Sequence, residues 1–187
     1  TGDGELTALD DGTARSIGLR FEIVGEGGGA GEEVVQLGLA DSATVSMPGL
    51  SFGGRPIMTI PIRRMDSHWG KRKDGLVGGD LLSTLVTVID YDRGRVAFHD
   101  ASRYEYRGPG ERIPVEMFGN YITFRAEVIP YGEAEPFEAL FLLDTGVRIS
   151  VFNSPFAAKH ALAAQSPKTL EGVTGFGIGG ASKGIGG

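Results

Sequence analysis

Cysteine is absent from the 187-residue chain. That excludes disulfides, thiolate-ligated metals and thiol catalysis, and it leaves the cellular compartment open, because exported proteins also do without cysteine. Long apolar runs are missing too. No stretch approaches the ~20 consecutive apolar residues of a membrane-spanning helix, and Thr1 does not open a segment of signal-peptide type. Positive charge is in deficit, with 18 Lys and Arg against 24 Asp and Glu, a net charge of −6 and a pI near 5.1. This balance argues against nucleic acid or an anionic membrane as the main partner. The three histidines, His68, His99 and His160, are far apart and lack ligand spacing, so no metal site is expected. Glycine is in excess, at 31 residues where average usage would give roughly 13. Tight turns, bulges and flexible hairpins follow from that. With 41% apolar residues the chain is of globular type and can bury a core.

The most informative stretch runs from Leu140 to Phe152, where Asp144 interrupts two apolar segments. Leu140 to Leu143 reads as a buried strand, Asp144-Thr145-Gly146 as a tight turn, and Ile149, Val151 and Phe152 as a second strand with alternate apolar positions. A carboxylate at the end of a core strand must be paired, hydrogen-bonded or neutralised, so its presence asks for a functional reason.

A second copy of this pattern opens the chain. After Thr1-Gly2 come Leu6, Ala8 and Leu9, then a short helical pattern from Asp10 that closes at Gly18-Leu19. After Thr145-Gly146 come Ile149, Val151 and Phe152, then a helix start in which Asn153 or Ser154 caps and Pro155 occupies the first turn. Each copy runs on into a glycine-dense hairpin, Val24 to Gly31 and Gly172 to Gly187. The repeat implies an Asp immediately before Thr1 and one extra residue in the first copy, looped out near Asp3 or Gly4.

Between the copies the pattern is β: Val34 to Leu39, Ala43 to Met47, and Ser51 to Ile60, with Pro48-Gly49 and Gly53-Gly54 breaking it into short strands. Arg63 to Lys73 is the one strongly basic run and reads as a solvated loop. Leu76-Val77-Gly78 precedes a short helix capped by Asp80, and a terminal hairpin follows, Val86 to Tyr91 and Arg95 to Phe98. Gly-Pro-Gly at Gly108 to Gly110 marks a boundary, giving units 1–105 and 106–187. In the second unit Ile113 to Met117, Tyr121 to Ile129 and Phe137 to Asp144 form a meander that delivers the acid. Gly175-Phe176-Gly177-Ile178-Gly179-Gly180 imitates a dinucleotide-binding pattern but sits in a β context without a following helix, which rules that use out.

The Asp-Thr-Gly turn between apolar strands, together with the apolar-apolar-Gly element at Leu76-Val77-Gly78, resembles the aspartic peptidases, of the pepsin and bacterial retropepsin-like kind. The resemblance implies an all-β chain of two related closed-barrel lobes, each incomplete here: the back of one lobe, 1–105, joined to the front of the next, 106–187. It implies hydrolysis of peptide bonds by a water held between Asp144 and the Asp expected before Thr1, with Thr145 and Thr1 locking the two loops and Gly146 and Gly2 presenting N–H groups to the carboxylates. Flaps over a bound peptide would be the hairpins carrying Gly27, Gly28, Gly177 and Ile178. No cofactor or metal is needed. The partner implied is a peptide or protein substrate, on a pseudo-dimer of two lobes within one chain, with a homodimer also open. Val147 and Asp3 depart from the small residue usual after the motif. Two other readings of the same residues stay open: a non-catalytic peptide-binding module on this fold, and a structural β protein in which Asp144 is a turn residue.

Overall fold

Alternating apolar residues between glycine turns produce strands nearly throughout. In the computed structural model, strands account for 44% of the chain and helices for 16%, so the chain is mostly β. The structure describes residues 6–186 apart from 30, 133, 134 and 148, with only the backbone of 173 and 174. In chain order the elements are β1 (Ala8–Asp10), α1 (Asp11–Ser16), β2 (Glu22–Gly27), β3 (Val35–Met47), β4 (Leu50–Ile60), a 3-10 turn (Ile62–Met65), α2 (Asp66–Trp69), β5 (Gly75–Leu76), α3 (Gly79–Leu82), β6 (Val86–Asp90) and β7 (Arg95–His99). Asp100 to Val115 contains no helix or strand. Then follow β8 (Glu116–Phe118), β9 (Tyr121–Val128), β10 (Phe137–Leu142), α4 (Ser154–Lys159), α5 (Leu162–Gln165), β11 (Leu170–Gly177) and β12 (Gly180–Gly186).

Strands β1 to β5 make one sheet in the order β2-β3-β4-β1-β5, while β8 to β10, β6 with β7, and β11 with β12 make three smaller ones. Closed barrels, expected from the resemblance, are not formed among the described residues. A barrel requires every strand to find two neighbours, and the sheets here end in free edges. Strand β1 lies inside the largest sheet, parallel to β4, with Ala8 opposite Met58, and antiparallel to β5, with Ala8 opposite Leu76. Under it Ala8, Ile60 and Ile62 form a buried cluster.

Pro48-Gly49 turns the chain as expected, but Gly53-Gly54 does not break β4. The register against β3 shifts twice, between Ala40 and Ala43 and between Ala43 and Val45. Gly54 takes φ +67, so the glycines are absorbed as bulges in one long hairpin. The basic run is likewise not a plain solvated loop. Its 3-10 turn buries Ile62 and Met65, and Arg63, Arg64 and Arg72 all hold carboxylates.

In the C-terminal unit the apolar strand is far less covered than its sequence suggests. Ala139 is buried, yet Leu140, Leu142 and Leu143 are each more than 40% exposed. The second strand expected at Ile149 to Phe152 is not formed either. The reason is visible in the first unit: the corresponding segment, β1, is a strand because β4 and β5 flank it, and no described strand pairs with residues 149–152. Ring contacts seat α4 instead, with Phe152 stacked on Phe156 at 5.6 Å, His160 stacked on Phe137 at 4.0 Å and Phe141 tilted against Phe152 at 5.9 Å.

One glycine sets the crossing beneath β1. A Cβ on Gly78 would lie 2.5 Å from the Leu6 carbonyl carbon and 2.6 Å from both the Leu6 oxygen and the Thr7 nitrogen. All are backbone atoms, which cannot swing away. Gly78→Ala is expected to cost on the order of 3 kcal/mol, a fall in Tm of about 6–12 °C. Thermal unfolding followed by circular dichroism checks it, and an unchanged Tm would show that the crossing is looser than described.

Candidate functional site

The acid loop of the second unit is reached by β10, which β9 pairs antiparallel from Phe137 opposite Val128 to Leu142 opposite Thr123. Leu143 N–H continues the ladder to Ile122 O at 2.9 Å, so Asp144 emerges where pairing stops. Gly146 N–H donates to Asp144 Oδ1 at 2.8 Å. The carboxylate is half-buried, whereas Thr145 and Gly146 are exposed. Around it lies an open groove of about 520 Å³ whose walls include Phe124, Leu142, Val147, Val151, Phe152 and Phe156. All its lining residues belong to the second unit, and Gly78 is not among them. Thr1 and Gly2, expected to face this loop, lie outside the described residues, as does Asp3.

Downstream of the two Thr-Gly positions the units match closely. Asp10 accepts from Thr13 N–H at 2.9 Å to cap α1, and Asn153 accepts from Phe156 N–H at 2.9 Å to cap α4. Both helices are six residues long, and each is followed by a residue in the left-handed region, Gly18 at φ +73 and Ala161 at φ +51. A single offset relates cap to cap and turn to turn.

Of the expected flap residues Ile178 meets the other unit, at Gly29, whereas no described residue beyond its chain neighbours lies within 4 Å of where a Cβ on Gly28 would be and Gly27 faces Leu37 of its own hairpin. Among the described residues one isolated bridge joins the halves of the chain, Gly31 with Gly179 in parallel sense, and Glu33 N–H donates to Gly179 O at 2.8 Å. Gly29 lies against the side chain of Ile178. Ile178 itself packs on the Ala8, Ile60 and Ile62 cluster. Gly27 ends β2 and Gly28 follows it, just before this contact; Gly177 and Ile178 are at the tip of β11–β12.

Two polar clusters escaped the sequence reading. In the first, Asp80 does not cap α3, whose N-cap is Gly78. Its Oδ1 instead accepts from Thr7 N–H at 2.8 Å and Thr7 Oγ1–H at 2.9 Å, and Thr7 Oγ1 accepts from Gly78 N–H at 3.2 Å. The second surrounds Asp10, 1% exposed. Besides capping α1 it accepts Arg63 N–H on Oδ2 at 3.1 Å, and Arg63 Nε lies 3.4 Å from Oδ1, an ion pair without hydrogen-bond geometry. Arg63 Nη2 donates to Asp74 Oδ1 and to Thr13 Oγ1, both at 2.7 Å, and Arg72 reaches Asp74 at 2.9 Å. Asp10 N–H also donates to Asp74 O at 2.8 Å. No sequence spacing announces a network in which Arg63 lies 53 residues from Asp10 and Thr13 61 residues from Asp74; the surplus of arginine in the basic run was the available signal. Among the described residues no group of three His, Asp or Glu side chains is placed to hold a metal ion. The histidines lie against rings, His68 and His160 stacked on Phe176 and Phe137 and His99 tilted against Tyr104.

No protein-family model, no curated protein sequence and no solved structure matches the chain.

The two helix caps differ in what their loss exposes. Asn153→Ala removes one exposed cap and is expected to cost about 1 kcal/mol. Asp10→Ala also strips Thr13 N–H and Arg63 N–H of a buried acceptor, so about 2–3 kcal/mol is expected. Urea unfolding of both variants checks the order, and equal losses would deny Asp10 its wider role.

Asp74 gives a pH dependence of known sign. The Arg63 guanidinium first, then the Thr13 hydroxyl and Arg72, hold its carboxyl well below the usual carboxylate range. A group depressed on folding stabilises fully above its unfolded value, about 4, and that contribution is lost as pH falls below it. Tm is therefore expected to drop as pH is lowered through 4 and beneath, less so in Asp74→Asn and less in high salt. A Tm–pH profile identical in the two proteins would remove Asp74 from the account.

Proposed function

We propose that the chain carries the acid loop of an aspartic-type endopeptidase of pepsin-like, tandem-lobe architecture, with Asp144 as one of two paired carboxylates. The observation that carries this reading is the repeat. Two helices of equal length, each capped by a side chain and followed by a left-handed residue at the equivalent place, come after the two Thr-Gly positions, so a partner for Asp144 is expected immediately before Thr1. The meeting of the two glycine hairpins, Gly29 and Gly31 with Ile178 and Gly179, adds support, since flaps of facing lobes close tip to tip.

In such a pair one water lies between the carboxyls and one proton is shared, because like charges about 3 Å apart cannot both ionise. The ionised acid takes a proton from the water as its oxygen attacks the scissile carbonyl. The protonated acid donates to that carbonyl oxygen, and the proton finally goes to the leaving amine. Gly146 N–H already donates to Asp144 Oδ1. A substrate bound as an extended strand is recognised by its main chain and by apolar side-chain seats.

One observation favours the second reading, a non-catalytic peptide-binding module. The groove beside Asp144 is lined by Leu, Val and Phe from one unit alone, which suits holding an apolar segment without cutting it. Cleavage of a denatured protein by the intact gene product distinguishes the two. The wild type is expected to cut in a pepstatin-sensitive manner, and Asp144→Asn to lose at least ~10³-fold in kcat with little change in KM. Equal rates would dismiss Asp144 as catalytic. Binding of the same segment without cleavage by either protein would favour the module.

A further inference from the structure

The two units are joined by a stretch of chain that grows looser toward its end. No strand or helix forms between β7 and β8, and from Glu105 to Gly119 every residue is exposed, Ile113 at 66% and Val115 at 54%. The first part is nevertheless tied down. Ser102 N–H donates to Asp100 Oδ1 at 2.8 Å and Arg103 N–H to Asp100 O at 3.0 Å. Arg107 Nη2 donates to Glu105 at 2.8 Å, and the Tyr106 hydroxyl accepts Gly110 N–H at 3.1 Å, which closes residues 106–110 into a loop. Beyond Gly110 the ties stop. Among the described residues, Glu111 to Val115 take part in no hydrogen bond, ion pair or ring contact, and Pro114 biases Ile113 toward extended backbone. An endopeptidase binds its substrate as an extended strand through main-chain groups, and a site inside folded structure must first open. At 111–115 nothing has to open, and one cation, Arg112, stands in the middle. The basic loops at Arg93 and at Lys73 are pinned by comparison, Arg93 N–H by Asp90 Oδ1 and Lys73 N–H by Asp66 Oδ1.

We infer that Arg112–Ile113 is a processing site for an endopeptidase of basic, trypsin-type specificity, and that the cut turns the chain into a two-chain molecule whose halves stay together. Water adds its oxygen to the Arg112 carbonyl carbon and the C–N bond breaks, leaving a carboxylate on Arg112 and an ammonium on Ile113, with net charge unchanged. No strand pair is broken, since β6–β7 ends before the cut and β8–β9 begins after it. The contacts between the halves are elsewhere: Ile178 packs on the Ala8, Ile60 and Ile62 cluster, Phe176 stacks on His68, and Gly179 O accepts Glu33 N–H. Asp144 takes no part, so the site stands whether or not that acid is catalytic.

Brief digestion of the 187-residue chain with a low proportion of trypsin, read by intact mass and N-terminal sequencing, tests it. The first products are expected to be residues 1–112 and 113–187, eluting together on gel filtration with the far-UV circular dichroism of the uncut chain. Arg112→Gln is expected to slow the first cleavage about threefold or more, because the next basic site, Arg107, lies in the loop that Tyr106 closes. Arg112→Lys should be cut at the same bond, and adding Tyr106→Phe to Arg112→Gln should move the cut to Arg107 and restore its speed. A first cut at any other bond, or Arg112→Gln cleaved as fast as the wild type, would overturn the site. Fragments that separate, or that lose their β signal, would overturn the two-chain molecule.

Discussion

The N-terminal unit depends on one backbone crossing, where Gly78 lies against the Leu6–Thr7 peptide with no space for a side chain. Two backbones this close bring their polar groups into a place water does not reach, and each such group needs a partner. Thr7 supplies most of the solution. Its hydroxyl accepts from Gly78 and donates to Asp80, and its own N–H goes to the same carboxylate. Asp80 thus satisfies a strand it does not belong to, and the strand in turn supplies the donors that keep a partly buried carboxylate tolerable. The register of β1 follows, because slipping by one residue would turn Ala8 out of the cluster and force Thr7 into it.

The other end of β1 is fixed by charge. Asp10 is simultaneously the last residue of the strand, the cap of α1 and the acceptor for the first turn after β4. Arg63 reaches past it to Asp74, which precedes β5. The three segments flanking the short strand therefore share one carboxylate–guanidinium–carboxylate chain. Single surface ion pairs contribute little, but here one partner is buried and the geometry is over-determined, so the network specifies which segments meet rather than merely adding attraction. Asp10 and Asp80 bracket a strand of three residues that hydrogen bonding to β4 and β5 alone would hold weakly.

How much of this was legible depended on whether the determinant was local. Helix caps at Asp10 and Asn153, the Pro48-Gly49 turn and the β6–β7 hairpin are all set by neighbours a few residues away, and sequence order displays them. The need for glycine at position 78 was also legible, because an apolar-apolar-Gly run before a helix asks what approaches the backbone there. Asp80 was not, since a carboxylate in a first helical turn has an ordinary local use and only the fold brings Thr7 to it across 73 positions. Burial was the least legible property. Leu140 to Leu143 has the composition of a core strand and yet is half in solvent, because apolar patterning expresses a capacity to be covered, and covering is supplied by other strands.

Comparison of the two units separates what the repeated segment encodes for itself from what it borrows. Cap, six-residue helix and left-handed turn are reproduced from Asn153 onward although no described strand pairs with residues 149–152, and they are reproduced even with Ala161 where the first unit has Gly18. A non-glycine residue in that region costs about 1 kcal/mol, so the turn is held by the hydrogen bonds of the helix end, His160 N–H to Phe156 O and Ala161 N–H to Ala158 O, against the preference of the residue itself. The strand before the cap behaves in the opposite way: Ala8–Asp10 is a strand because β4 and β5 flank it, whereas no described strand flanks Val151 to Asn153, which form none. The acid loop sits immediately upstream of this borrowed part.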